Sequence, residues 1–370
     1  MKKLFSVMMA AALPLTLVGC GDNGSSETPT SSTSEDGKYE IAMITDCGNI
    51  DDRSFNQTTW EGVKAYGEES GKTYTYYRPD EDSASSREEF MSKAIENGAK
   101  IVVCPGFLFE ESIYKLQDEY PDVSFLLIDG QPHPADDNEA IKIADNTHCI
   151  MVREEESGFL AGYGIVKEGY KNLGFVGGMA VPAVVRFGSG FIQGAEYAAE
   201  KLGIDGVNIR YMYSGVFWPT DDLYANMNAW YTDGVEVIFT CGGGQFQSIT
   251  KAAESNDGVV IGVDVNQAHE SETMITSAMK NSAAITHDAL KAWGDNNDAW
   301  PTDWAGQAAR LGAEDNAVCL PTDEESWRFK NFTVEEYNEL FDQIVSGEIE
   351  INGEVDDKPA VKLVTVEYES

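Results

Sequence analysis

The chain has 370 residues, with 63 Asp and Glu against 26 Lys and Arg and a formal net charge of −37. That length accommodates about two domains, and 42% hydrophobic residues are enough for a core, which argues against whole-chain disorder. So acidic a chain is a poor match for nucleic acid, whose phosphates need a Lys/Arg surface. It is equally poor for lying on an anionic membrane through a basic face.

Lys2 and Lys3 precede an apolar run from Leu4 to Val18. Fifteen residues are too few for a comfortable span and suit a signal-peptide core. The run ends Leu17-Val18-Gly19-Cys20, and small residues before such a Cys resemble a bacterial lipobox. That resemblance implies removal of residues 1–19 and a lipid on Cys20; the alternative is an ordinary signal peptide with an incidental Cys. Cleavage removes two Lys and no acid, so the remaining chain is more negative still. Residues 20–37 then comprise the lipidated Cys and a flexible, Ser/Thr/Gly-rich tether. Five further cysteines, Cys47, Cys104, Cys149, Cys241 and Cys319, form no CxxC and no paired framework. Most lie in apolar runs, where Cys serves as a small buried hydrophobe.

From residue 39 short β-rich runs alternate with helical patterns. The strands are expected at 40–44, 73–77, 100–104, 124–128, 141–144, 172–176, 208–213, 236–240, 259–263 and 274–277. Amphipathic stretches fall at 56–70, 87–97, 110–120, 154–167, 191–202 and 222–231, and another at 334–349 precedes a final strand. Strand–helix alternation predicts right-handed βαβ units and doubly wound parallel sheets covered on both faces.

An approximate internal repeat sharpens this. KIVVCPG (100–106) matches VEVIFTCGG (235–243), SFLLID (124–129) matches GVVIGVD (258–264), and TYTYY (73–77) matches IRYMY (209–213). The expectation is two similar α/β lobes around one cleft, residues 38–146 with 276–315 and residues 147–275 with 316–370. Ligands of open parallel sheets bind beyond the carboxyl ends of the strands. Asp46, Asp129 and Asp264 each follow an apolar strand and would converge there. Taken singly each reads as a turn former or cap; together they read as a site.

Enzyme signatures are missing: no GxxxxGK[ST], no GxSxG elbow and no HExxH occurs. The four His are scattered and read as solvated surface residues. Nothing calls for a metal or a cofactor, and no enzyme is expected.

The segment ITDCGNIDDRSFNQTTWEG (44–62) resembles the signature of the basic membrane protein family of lipoproteins. GGMAVPAVVRFGSGFIQGAEYAA (177–199), CGGG (241–244), IGVDVNQ (261–267) and TSAMKN (276–281) follow in order. The family's usual Gly-Thr-Gly turn is replaced here by Gly242-Gly243-Gly244-Gln245, and Asn266 precedes Gln267 where Asp is common. The resemblance implies a type I periplasmic binding fold and a lipid-anchored binding protein that delivers a purine nucleoside to an ABC permease. It further implies stacking by Phe55, an amide hydrogen bond from Asn56, Asp46 and Asp129 near the base, and Asp264 on the ribose. Lys280 would neutralise Asp264 and donate to a ribose hydroxyl. A second stacking face is expected from Phe217, with Trp218 as runner-up, and Gly243 would let backbone N–H groups approach the ligand. Another neutral solute such as a sugar or autoinducer, a signalling lipoprotein and a surface hydrolase stay as alternatives.

Overall fold

The computed structural model describes residues 37–136, 140–356 and 358–369. The expected signal peptide, Cys20 and nearly all of the tether lie outside these. The described chain folds into two sheets. One contains β1 (Ile41–Ile44), β2 (Tyr74–Tyr77), β3 (Ile101–Pro105), β4 (Ser124–Ile128), β5 (Thr147–Val152) and β11 (Gln307–Leu311), ordered β11-β5-β4-β3-β1-β2. The other contains β6 (Asn172–Gly177), β7 (Val207–Tyr213), β8 (Val237–Cys241), β9 (Val259–Asp264), β10 (Met274–Lys280), β12 (Val318–Cys319) and β13 (Val364–Tyr368). Its order is β12-β10-β9-β8-β6-β7-β13. Pairing is parallel throughout except for β12 on β10. Strands β1, β3, β4 and β8 are buried along their whole length, as expected for parallel strands covered on both faces.

The repeat is visible in this order. Strands 5-4-3-1-2 of the first sheet match 10-9-8-6-7 of the second, an offset of five strands. Asp129 after β4 and Asp264 closing β9 occupy equivalent places, and both have left-handed backbones, φ 63° and 64°. A non-glycine residue pays a conformational penalty there, typical of constrained sites.

Nine helices are formed by the described residues: α1 (Phe55–Ser70), α2 (Ala84–Glu96), α3 (Glu110–Glu119), α4 (Glu154–Glu168), α5 (Pro182–Leu202), α6 (Asp221–Thr232), α7 (Phe246–Asn256), α8 (Ser282–Asp295) and α9 (Val334–Val345). Helix α5 starts nine residues before its expected beginning at 191, because Pro182 at its first turn fixes a helical φ and donates no hydrogen bond.

Two expectations need correction. Residues 141–144 form no strand, because the Gln117 amide takes over their backbone: Nε2 donates to the Lys142 carbonyl at 2.9 Å and Oε1 accepts from Ala144 N at 3.0 Å. The strand lies further on, at β5, which pairs with β4 in the first sheet. The border expected at 146/147 therefore moves beyond Val152. Likewise β10 pairs with β9, so residues 276–280 stay with the second sheet. The chain passes between the sheets at Arg153, Asn281 and Gly312. Arg153 N donates to the Leu311 carbonyl at 2.8 Å and Asn281 N to the Ala317 carbonyl at 2.9 Å, which ties these passages together.

The first two passages exchange helices. Helix α4 follows β5 but packs on α5 beside the second sheet, and α8 follows β10 but packs on α1 beside the first. Glycines let the backbones meet. A Cβ on Gly194 would stand 2.0 Å from the Phe159 carbonyl, one on Gly190 2.0 Å from that of Glu155, and one on Gly158 2.1 Å from that of Phe187. Overpacking a close contact costs about 1–3 kcal/mol. Gly194→Ala should therefore lower stability by at least about that much, read as a reduced urea midpoint with an unchanged slope.

Candidate ligand-binding site

The cleft between the sheets holds about 770 Å³ of atom-free space, open solvent at its mouth included. All eight expected contact residues, Asp46, Phe55, Asn56, Asp129, Phe217, Gly243, Asp264 and Lys280, line it. They come from strand ends and the turns that follow.

The first group is set by the turn between β1 and α1. Asp52 caps α1: one oxygen accepts from Ser54 N at 2.9 Å and Gln57 N at 3.1 Å, the other from Asn56 N at 3.1 Å. Asn56 Nδ2 donates to Asp46 at 2.9 Å and to Asp52 at 3.0 Å. Its Oδ1 accepts from Asp46 N at 3.3 Å. Both amide protons are thus used within the protein, so Asn56 orients Asp46 rather than offering a free donor to a ligand. Asp46 Oδ1 also accepts from Gly48 N at 2.6 Å, and burial raises this carboxyl above its usual range.

The second group is ionic and deeply buried. Lys280, 3% exposed, pairs with Asp129 and, at 3.2 Å, with Glu154. Glu154 in turn accepts from Arg186 Nε at 2.6 Å. Asp264, the expected partner of Lys280, takes its hydrogen bond from the Ser54 hydroxyl; burial raises this carboxyl and the charge of Lys280 opposes the rise. Asp129, directly after β4, receives the ammonium of Lys280 from the end of β10 across the cleft. Burial would raise Glu154, yet Arg186 and Lys280 hold it below its usual range. Burial would lower Lys280, and Asp129 and Glu154 hold it above. Asp129 is pushed by burial up to about 7. Its Oδ1 is buried without a hydrogen-bond partner, an acceptor left over at the cleft wall.

The third group is aromatic. Lys280 Nζ sits 4.2 Å from the Phe55 ring centroid and 6.0 Å from that of Phe187, so two faces flank the cation. Phe217 is held by glycines: a Cβ on Gly178 would meet its ring at 2.4 Å, and one on Gly242 at 2.8 Å. Gly243 has φ 48° and lies against the Phe217 carbonyl, so a side chain there would clash as well as strain the turn. Trp218 is 48% exposed and does not line the cleft, which favours Phe217 of the two.

Several site residues escaped sequence reasoning. Phe187, in the middle of α5, is spaced like any core position and carries no local signal. Phe107 follows β3 where Gly243 follows β8, so the repeat itself pointed to it. Glu154 reads locally as an ordinary helix-start acid. His148 was expected at the surface but is 2% exposed on β5, stacked on Trp304 at 4.7 Å with Nδ1 against the Trp304 carbonyl at 2.9 Å. Among the described residues no His, Cys, Asp and Glu cluster could hold a metal. Cys104, Cys149 and Cys241 are buried, Cys47 and Cys319 half-buried, and all five are free thiols.

Two parallel sheets of matching order around one cleft define a type I periplasmic binding fold, the architecture of solute-binding proteins. A solute-binding protein of an ABC transporter system from Aeropyrum pernix K1 has this fold, with TM-score 0.71 and 22% identity over 85% of this chain and 94% of its own. Another, from Conexibacter woesei DSM 14684, gives 0.63 and 18% over 85% and 98%. The profile of the Bmp family, PnrA-like substrate-binding proteins of ABC transporters, matches residues 39–354, and the chain belongs to that family. The ABC transporter nucleoside-binding protein BmpA of Lactococcus lactis subsp. cremoris MG1363 is 26% identical over 313 residues, 78% of this chain and 84% of that one. Basic membrane protein B of Borreliella burgdorferi is 27% identical over 303 residues, 77% and 81%. A lipoprotein of Pyrococcus abyssi is 28% identical over 327 residues, 84% and 74%. The family consists of binding components of importers rather than enzymes, with a small-molecule ligand and a membrane permease as partners. Among the described residues no helix is long and apolar enough to cross a membrane.

Glu155 gives the ligand-free protein a pH signature. It is bonded to Arg310 at 2.8 Å, yet burial and the charge of Glu154 push it up to about 7 from an ordinary 4.5. A carboxyl raised on folding contributes stability that is full below its unfolded value and lost as pH rises through the folded one. Glu155→Gln should therefore flatten the fall in melting temperature between about pH 4.5 and 7, measured by thermal unfolding across buffers.

Proposed function

We propose that this protein captures a purine nucleoside without phosphate and presents it to an ABC permease from a lipid anchor on Cys20. The observation that carries the reading is the combination in one cleft of aromatic faces from both sheets with the free Asp129 Oδ1 and the carboxylates of Asp46 and Asp264. A purine takes flat apolar faces above and below and acceptors for its edge N–H groups. Phe55 and Phe217 supply the faces. Asp46, held by Asn56 and Gly48, and Asp129 serve the base, with Asn56 acting through Asp46. Asp264, with one oxygen bound to Ser54, turns the other to a ribose hydroxyl. The ammonium of Lys280 has a third proton after Asp129 and Glu154, and this one serves the sugar. Four carboxylates line the cleft with one cation, a field that repels phosphate and favours an uncharged, hydroxyl-rich solute. The name of the Lactococcus lactis relative supports the same ligand class.

Solute bound between the sheets favours the closed form by its greater affinity for it, and release to the permease accompanies opening about the three tied passages. Calorimetry with inosine, guanosine and adenosine should show binding, and inosine monophosphate and ribose should give none. Asp264→Ala should weaken nucleoside affinity by about 10–150-fold, the range of hydrogen bonds to a charged group. Heat with ribose alone would transfer the assignment to sugars, and silence with the whole panel would end the nucleoside reading. For the anchor, Cys20→Ser should move the protein from the membrane to the soluble fraction; a variant that stays at the membrane overturns the lipid assignment.

A further inference from the structure

The turn ahead of α1 makes three contacts with the second half, outside all three chain passages. Arg53 has a left-handed backbone, φ 54°, which turns its carbonyl towards the second half. That carbonyl accepts from Gln267 Nε2 at 3.0 Å. The Arg53 guanidinium pairs with Glu270, and the hydroxyl of the next residue, Ser54, donates to Asp264. Two consecutive residues of the first half are thus gripped by three residues of the second at a spacing of three. The grip is anchored: Gln267 is 1% exposed, its Oε1 accepts from Val263 N at 3.1 Å and its own N donates to Ser277 Oγ at 3.0 Å.

We propose that Arg53 and Ser54 form a hook that Asp264, Gln267 and Glu270 catch, a clasp that closes the cleft with or without solute. Its three grips need no ligand atom. Beside the Lys280–Asp129 pair across the cleft, closure then depends on two separable sources, the bound solute and the clasp, and the clasp sets how often the halves part once solute is inside. It also couples closure to recognition, because Ser54 fixes one oxygen of Asp264 only when the halves meet. The inference rests on the reading that solute is held between halves that open and close.

The outer grip is the place to test this. The Arg53 side chain is 57% exposed, so the pair with Glu270 can be removed without opening the core. Glu270→Gln removes the charge pair, and Arg53→Gly removes it while suiting the left-handed backbone. Small-angle X-ray scattering of the ligand-free protein should show a larger radius of gyration in both variants than in the parent. Stopped-flow release of inosine should be about 2–5-fold faster, the scale of an exposed ion pair, with the association rate unchanged. Exchanging the two charges, Arg53→Glu with Glu270→Arg, should restore both values. Scattering decides the clasp by itself: unchanged radii in both single variants, or no recovery on charge exchange, overturn it. Absence of binding by inosine, guanosine and adenosine alike, alongside the scattering change, would sink the nucleoside reading and leave the clasp standing.

Discussion

The buried ionic row Arg186–Glu154–Lys280–Asp129 constrains everything around it. Charges removed from water are costly unless each has a partner at good geometry. Here Arg186, Glu154 and Lys280 come from α5, α4 and β10 of the second half, and Asp129 alone comes from the first. Separation of the halves therefore leaves Lys280 with Glu154 and strands only Asp129, which water can then solvate. The cation never faces the interior uncompensated. This arrangement requires α4 to start directly after the first passage, with its N-terminal acid pointing at the end of β10. It also requires α5 to lie close enough for Arg186 to reach Glu154. The glycine contacts between α4 and α5 supply that closeness, so the packing of two helices and the polarity of the cleft are one problem.

The internal repeat explains why the cleft has a near-symmetric acid pair and an asymmetric cation. Asp129 and Asp264 are the same position in two copies of one plan, left-handed in both. Their neighbours differ because the passage after β10 places Lys280 beside the first, while the turn before α1 brings Ser54 to the second. One position has diverged into an ion-pair partner and a hydroxyl-bonded acceptor. A solute with a polar edge at one end and hydroxyls at the other fits that division.

Much of this was legible in the sequence, for specific reasons. Strand-end acids in a repeated pattern predicted Asp129 and Asp264, and the parallel sheets followed from strand–helix alternation. The partners were not legible. Lys280 is assigned to Asp264 by the family resemblance alone, whereas its ion pairs in the folded chain go to Asp129 and Glu154. Asn56 reads as a ligand donor, yet Asp46 and Asp52 take both of its amide protons. The strand at 141–144 failed because a distant amide, Gln117, satisfied its backbone, a competition that local propensity does not contain. His148 resembled a polar loop residue until Trp300 and Trp304, about 150 positions away, closed over it. Apart from Asn56, whose partners Asp46 and Asp52 are near in the chain, each miss concerns a contact between residues distant in sequence.

The edge strand β11 carries a consequence for how the molecule is made. It completes the first sheet beside β5, yet it is synthesised after β6 to β10, the main body of the second sheet. As the chain grows, β5 has an open margin until residue 307 arrives, and α1 lacks its cover until α8 is in place. The half that begins first is finished late, and nearly all of the second must emerge before either is whole. Such non-local pairing makes assembly slow and leaves an exposed strand margin in the incomplete chain. A chain interrupted before residue 307 would thus lack the β11 edge of the first sheet and both edges, β12 and β13, of the second, and so expose sticky margins on each.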